Sequence, residues 1–231
     1  MLVTAAVCPH PPLLVPRVAG SVAPDLDACR AACQSVIEEV LLEQPDLLVV
    51  IGGGAETREH TGDVRGTLVP YGLDLALGAG DGPCTLPLSL GIGRWLLGDR
   101  TLPATVYQEA AVDIGPADAA AVGKLLGTRA DRTAALVMAD GSAYPLQTPV
   151  GDDGRGDRYD DQWIGALETA NVSALAELDP ADDVALWATG RAALQVLAGA
   201  CQDAGGDWRG RIAWRGSPYG VGYAVASVRR A

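Results

Sequence analysis

Apolar positions along this chain follow two alternating patterns. Uninterrupted apolar runs of strand length, at residues 2–7, 46–51 and 133–138, are separated by stretches whose apolar residues recur three or four apart. Runs without a polar break suit strands covered on both faces, as in the middle of a parallel sheet. Between the first two, Pro24 is placed to open a helix, with Asp25 and Asp27 at its positive end. Leu26, Cys29, Cys33, Val36, Ile37, Val40 and Leu41 then share one helical face until Pro45. Further helices are predicted over residues 86–97, 116–127 (with Ala119, Val122, Leu125 and Leu126 inward), 159–178 and 180–186. Thr189 reads as the N-cap of a last helix that runs through Leu194, Leu197 and Cys201 to Gly205. Residues 103–108 read as a strand, and residues 211–214 and 221–228 as two more, joined around 216–220. Residues 67–82 carry no clear period, and residues 145–157 read as a long Gly/Asp/Arg-rich loop. Strands alternating with helices, without an internal repeat or a linker, predict one α/β domain over residues 1–231.

Composition narrows the function classes. A net charge of −12 over 231 residues opposes nucleic-acid or anionic-membrane binding, which need clustered Lys and Arg. No apolar run reaches membrane-spanning length, and the first residues lack a basic start followed by a long apolar stretch, so a cytoplasmic protein is expected. The five cysteines are scattered with no CxxC; Cys29 and Cys33 fall in the apolar helical stripe and read as buried thiols rather than half of a zinc site.

Candidate chemistry gathers where strands end, because ligands of open α/β sheets bind in the crevice beyond the carboxyl ends. His10 follows the first strand between Pro9 and Pro11, which stiffen its backbone and aim its imidazole. It is placed either for chemistry or to lock the turn through a hydrogen bond. Gly52, Gly53 and Gly54 follow the second apolar run and read as a loop free to approach a ligand. The polar stretch 55–66 holds the only other histidine, His60, beside Glu56, Glu59 and Asp63. Two histidines and a carboxylate form the facial triad of non-haem iron, but this spacing matches no metal motif and a solvated loop is the simpler reading. Asp140, just past the third run and followed by Gly141 and Ser142, could serve as a base, a ligand orienter or a helix cap.

Four passages in order, CPHPPLLVP (8–16), DLLVVIGGG (46–54), MADGSAYP with YDD (138–145, 159–161) and ATGRAALQVLAGA with PYGVGYAVA (188–200, 218–226), resemble the class III extradiol ring-cleavage dioxygenase catalytic subunits, the LigB-like family, especially its Memo-related branch. The resemblance implies a single α/β domain with a central mixed sheet flanked by helices and a cleft at the strand ends. Active members hold ferrous iron by two histidines and a carboxylate, use a further histidine as acid/base, and open a catecholic ring with dioxygen. Carried over by position, the first ligand falls on His10. The second falls on Gly52–Gly54, with His60 several residues late. Asp140 matches the aspartate before the acid/base histidine, whose own place is taken by Ala143 or Tyr144. The third ligand falls on Thr189, ahead of Gly190 and Arg191, and a threonine hydroxyl is a poor ligand for Fe(II).

The expectation is therefore a dioxygenase-like protein without the family's iron site. Its cleft would hold a small anionic or phenolic ligand through His10 and Asp140, with Gly53, Gly54, Ser142, Thr189, Arg191 and Tyr219 around them. Arg191 would reinforce an anion site at a helix start or pair with a carboxylate such as Asp140. The alternative is an active Fe(II) enzyme rearranged around His10, His60 and Glu56 or Glu59. A homodimer is implied by the resemblance alone. A metal-independent hydrolase using Ser142 or Thr189 lacks a nucleophile elbow and an adjacent base.

Overall fold

A strand that is apolar on both faces must bury both, and the three long apolar runs do so side by side. The computed structural model describes residues 1–143 and 153–231. In chain order it runs β1 (Leu2–Cys8), α1 (Pro16–Ala19), α2 (Asp27–Leu42), β2 (Leu47–Gly54), β3 (Arg58–His60), β4 (Gly66–Thr67), β5 (Ala76–Leu77), α3 (Leu88–Leu97) and β6 (Ala104–Ala111). It continues through α4 (Pro116–Gly127), β7 (Thr133–Met138), α5 (Arg155–Glu168), α6 (Val172–Ala176), α7 (Pro180–Leu186), α8 (Arg191–Ala204), β8 (Trp208–Gly216) and β9 (Tyr223–Arg230). Seven strands form one mixed sheet in the order β3-β6-β2-β7-β1-β9-β8. The inner four, β6, β2, β7 and β1, are parallel, while β3, β9 and β8 run antiparallel to their neighbours. Among the described residues no helix is long and apolar enough to cross a membrane.

Strand periodicity splits each inner strand between two cores. Val49 and Ile51 of β2 and Ala135 and Val137 of β7 pack with α4, α5 and α8; Leu48, Val50, Leu136 and Met138 pack with α2 and α3 on the opposite face. Connections leaving β1 and β2 therefore cover one face, and those leaving β6 and β7 cover the other. β7 lies between β2 and β1, so the chain diverges to opposite faces on both of its sides. Ligands of open α/β sheets bind at such points of divergence. Small residues set how closely α8 approaches α4. A Cβ on Gly123 of α4 would lie 2.0 Å from the Val196 carbonyl oxygen, and one on Gly199 of α8 would lie 2.3 Å from that of Ala120, so these helices pack backbone to backbone.

Several expectations change. Gly52, Gly53 and Gly54 are not a loop but the last rungs of β2, paired with Glu109, Ala110 and Ala111. They are glycine because protein crowds them: a Cβ on Gly52 would lie 2.5 Å from Ser89 Oγ, and one on Gly54 would lie 2.2 Å from Glu109 Oε1. The polar stretch 55–66 contains edge strand β3, paired with β6. Pro24 lies inside a 3-10 turn, Gly20–Leu26, and the α-helix starts at Asp27. Leu125 points outward at 68% exposure. The helical stretch from Tyr159 is broken at Ala170 (φ 51°) into α5 and α6. Thr189 does not cap α8; Gly190 is its N-cap and no side chain caps it. Of the loop expected at 145–157, residues from Arg155 on belong to α5, and residues 144–152, Tyr144 among them, lie outside the described residues.

Candidate functional site

The carboxyl ends of β1 and β7 bring His10 and Asp140 together. The His10 backbone N–H donates to Asp140 Oδ1 at 2.7 Å, and the ring Nδ1 lies 3.4 Å from the same oxygen. Pro9 and Pro11 fix the backbone that makes the first contact. His10 is 7% exposed, and its Nδ1 has no hydrogen-bond partner among the described residues. Burial raises the Asp140 carboxyl above the ordinary aspartate range, against the pull of His10. Asp140 thus holds the main chain at His10, and among the described residues no helix starts on it.

The loop after β7 is braced from below. Asp160 of α5 accepts hydrogen bonds from the Ser142 N–H at 2.9 Å and from Trp163 Nε1 at 3.0 Å. Gly141 and Gly222 lie so close to this carboxylate that a Cβ on either would clash with it. Burial raises the Asp160 carboxyl, and its two donors lower it. Ser142 is 1% exposed and its Oγ donates to the Leu186 carbonyl, so it holds the loop and presents nothing to a ligand.

On its other side, Asp140 abuts the start of α8. A Cβ on Gly190 would lie 2.6 Å from the Asp140 carbonyl oxygen, so only glycine lets the helix approach this closely. The preceding Thr189 is exposed, and its carbonyl oxygen lies 3.3 Å from the Cβ position of Gly53. Here a groove of about 590 Å³ opens. Its walls are Val112, Pro180, Val184, Trp187 and Ala188, with Asp113, Asp183, Thr189 and Arg191 around them. Trp187 is 58% exposed and sits at φ 54°, ψ 39°, a left-handed conformation uncommon for a bulky residue.

Arg191 is fully buried and already engaged. Its Nε donates to Asp183 Oδ2 (2.5 Å), Nη1 to the Ile114 carbonyl (3.0 Å) and Gln195 Oε1 (2.6 Å), and Nη2 to the Val112 carbonyl (2.6 Å). A guanidinium has five N–H donors, and four are committed here. The carboxylate partner is Asp183, not Asp140, and the expected anion site is not formed. Burial pushes the Asp183 carboxyl up to about 6 against the Arg191 contact that lowers it.

The remaining expected site residues lie elsewhere. Tyr219 donates from its hydroxyl to Asp25 Oδ2 at 2.8 Å and so ties the β8–β9 turn to the 3-10 segment before α2. Gly54 faces the Glu109 carboxylate, which fills any space for a ligand. His60, on edge strand β3, contacts Glu109 Oε2 through Nε2 at 2.8 Å. The Glu56 N–H donates to Glu109 Oε1 at 3.1 Å, and Arg58 Nε donates to Oε2 at 3.0 Å. Burial raises the Glu109 carboxyl, but these bonds outweigh it and the net shift is downward. Three strands separate β3, which carries His60, from β1, which leads into His10, so the two strands lie four steps of about 4.8 Å apart across the sheet. The arrangement of His10, His60 and Glu56 around one ion is therefore not formed.

The residues present do not fit the ferrous centre implied by the family resemblance. Around His10 the second position is strand glycine and the third is the Thr189 hydroxyl. Asp140 is the one acid shown in contact with the ring, and among the described residues no three His, Cys, Asp or Glu side chains converge as a metal site. Sequence reasoning missed the groove residues Val112, Asp113, Pro180, Asp183, Val184 and Trp187. The available signal was an apolar residue just past a strand and a tryptophan two residues before Thr189, in a segment whose buried face ends at Leu186.

Fold and site together define an α/β protein with a crevice at the carboxyl ends of a mixed sheet. No family model and no curated protein matches the chain. Among solved structures it is similar to the crystal structure of uncharacterized protein JW3007 from Escherichia coli K12. The two share 14% identity over 98% of this chain and 99% of that one, with a TM-score of 0.50. At that identity the likeness is one of fold.

Proposed function

We propose that this chain is a small-molecule-binding protein on an extradiol-dioxygenase-like frame that has lost the iron centre of that family. The observation that carries this reading is the pairing of an open apolar groove at the strand ends with glycine and threonine where metal ligands are needed. A groove of this size suits one small organic molecule. Its walls favour an aromatic or phenolic ligand: burying about 100 Å² of ring surface gives roughly 2.5 kcal/mol, and the Trp187 indole offers a stacking face. Thr189 supplies a hydroxyl at the rim. His10, oriented by Asp140, accepts or returns a proton from a ligand hydroxyl that reaches the ends of β1 and β7. A bound anion has little support, since Arg191 spends four of its five donors on the protein.

Calorimetric titration of chelator-treated protein with phenol and with indole tests the reading. Saturable heats for at least one probe are expected, with binding at least tenfold weaker in Val112→Asp, which places a charge on the groove wall. Absence of saturable binding by either probe up to the low-millimolar range, with the protein folded by circular dichroism, sinks the proposal.

A further inference from the structure

Building on the ligand-binding reading above, we infer that the groove beside Thr189 selects an organic cation, a primary ammonium carried on an aromatic or short apolar body. The walls are apolar, but the polar groups among them are acidic. Asp113 is exposed just past the end of β6, and among the described residues its carboxylate makes no hydrogen bond or ion pair. Asp183 gives one oxygen to Arg191, while its Oδ1 has no partner among them. The acceptor the groove leaves open is therefore the Asp113 carboxylate, with the enclosed Asp183 carboxylate adding negative charge to the same wall.

Arg191, the cation among the groove residues, does not balance these acids toward a ligand. Four of its five N–H groups point into the protein, and its charge is spent largely on Asp183. An ammonium supplies three donors and the missing positive charge; a carboxylate or phosphate would meet Asp113 and Asp183 with no free partner. Trp187 adds a second preference of the same sign. Its indole is more than half exposed on the groove wall, and a cation is drawn to the face of an aromatic ring. Its left-handed backbone is costly for a tryptophan.

The test compares three probes of one shape, phenethylamine, 2-phenylethanol and phenylacetate, by calorimetry at neutral pH and low salt. The amine is expected to bind about tenfold or more tightly than the alcohol, and the carboxylate most weakly. Asp113→Asn removes an exposed charge that holds nothing in the fold and should bring the amine close to the alcohol. Asp183→Asn is avoided as the primary variant because it strips the buried Arg191 of its ion pair. Trp187→Leu should weaken the amine more than the alcohol. If the alcohol or phenylacetate binds as tightly as the amine, or if Asp113→Asn leaves the amine's advantage intact, the cation inference is overturned while the groove still binds ligands. If none of the three binds, the ligand-binding reading fails and takes this inference with it.

Discussion

The molecule holds two histidines, each beside a buried carboxylate, and the two sites are built in opposite ways. His60 meets Glu109 at 2.8 Å within a closed network that also takes up Arg58 and the Glu56 N–H. Both oxygens of that carboxylate are used, on an edge strand that needs fastening. His10 meets Asp140 through its backbone N–H, and its ring Nδ1, 3.4 Å from that carboxylate, has no hydrogen bond among the described residues. The first histidine is consumed by structure. The second is held in place by its main chain, and its ring remains disposable. The same distinction separates Arg191, whose donors are committed, from Asp113, whose carboxylate is not.

The largest expected effect falls on the sheet that keeps the two histidines apart. Val50 is fully buried in the middle of β2, so Val50→Asp should cost several kcal/mol by burying an unpaired charge. Urea denaturation measures it, and an unchanged midpoint would remove β2 from the core. Next comes the closed network: Glu109→Gln should cost about 2–3 kcal/mol at pH 7, the scale of lost charge-assisted bonds. The sign of its pH dependence follows from the lowered carboxyl. Glu109's contribution is fully present above the unfolded carboxylate range and is lost as pH falls through its depressed folded value. Wild type and variant should therefore converge in strongly acid buffer, and a constant gap in melting temperature across pH would contradict the ion-pair explanation.

Smaller still is His10→Ala, expected to cost less than about 1 kcal/mol. The turn is locked by the backbone N–H to Asp140, which alanine retains. A loss as large as that of Glu109→Gln, measured in the same denaturant series, would make the two histidines alike and erase the contrast.

How far the sequence reveals this depends on what each residue answers to. The apolar runs around Val49 and Leu136 mark β2 and β7 because burial on both faces leaves no other pattern. Proline spacing makes the His10 turn legible. The three glycines after Ile51 mislead, since glycine signals both freedom and crowding; only the neighbours Ser89, Glu109 and Thr189, distant in sequence, decide for crowding. His60 looks like a metal ligand in a polar run until β6 supplies Glu109, which is 49 residues away. Arg191 looks like an anion site until four acceptors, from α7, its own helix and the stretch after β6, converge on it. Local pattern carries the framework, while partners distant in the chain decide which side chains are left free for a ligand.

Among the described residues His10 has no companions that complete an iron site. Protein reconstituted with ferrous iron under anaerobic conditions, desalted and assayed for metal tests this directly. Well under one iron per chain is expected, with no difference between wild type and His10→Ala. One tightly retained ferrous ion per chain, lost on His10→Ala, would contradict it.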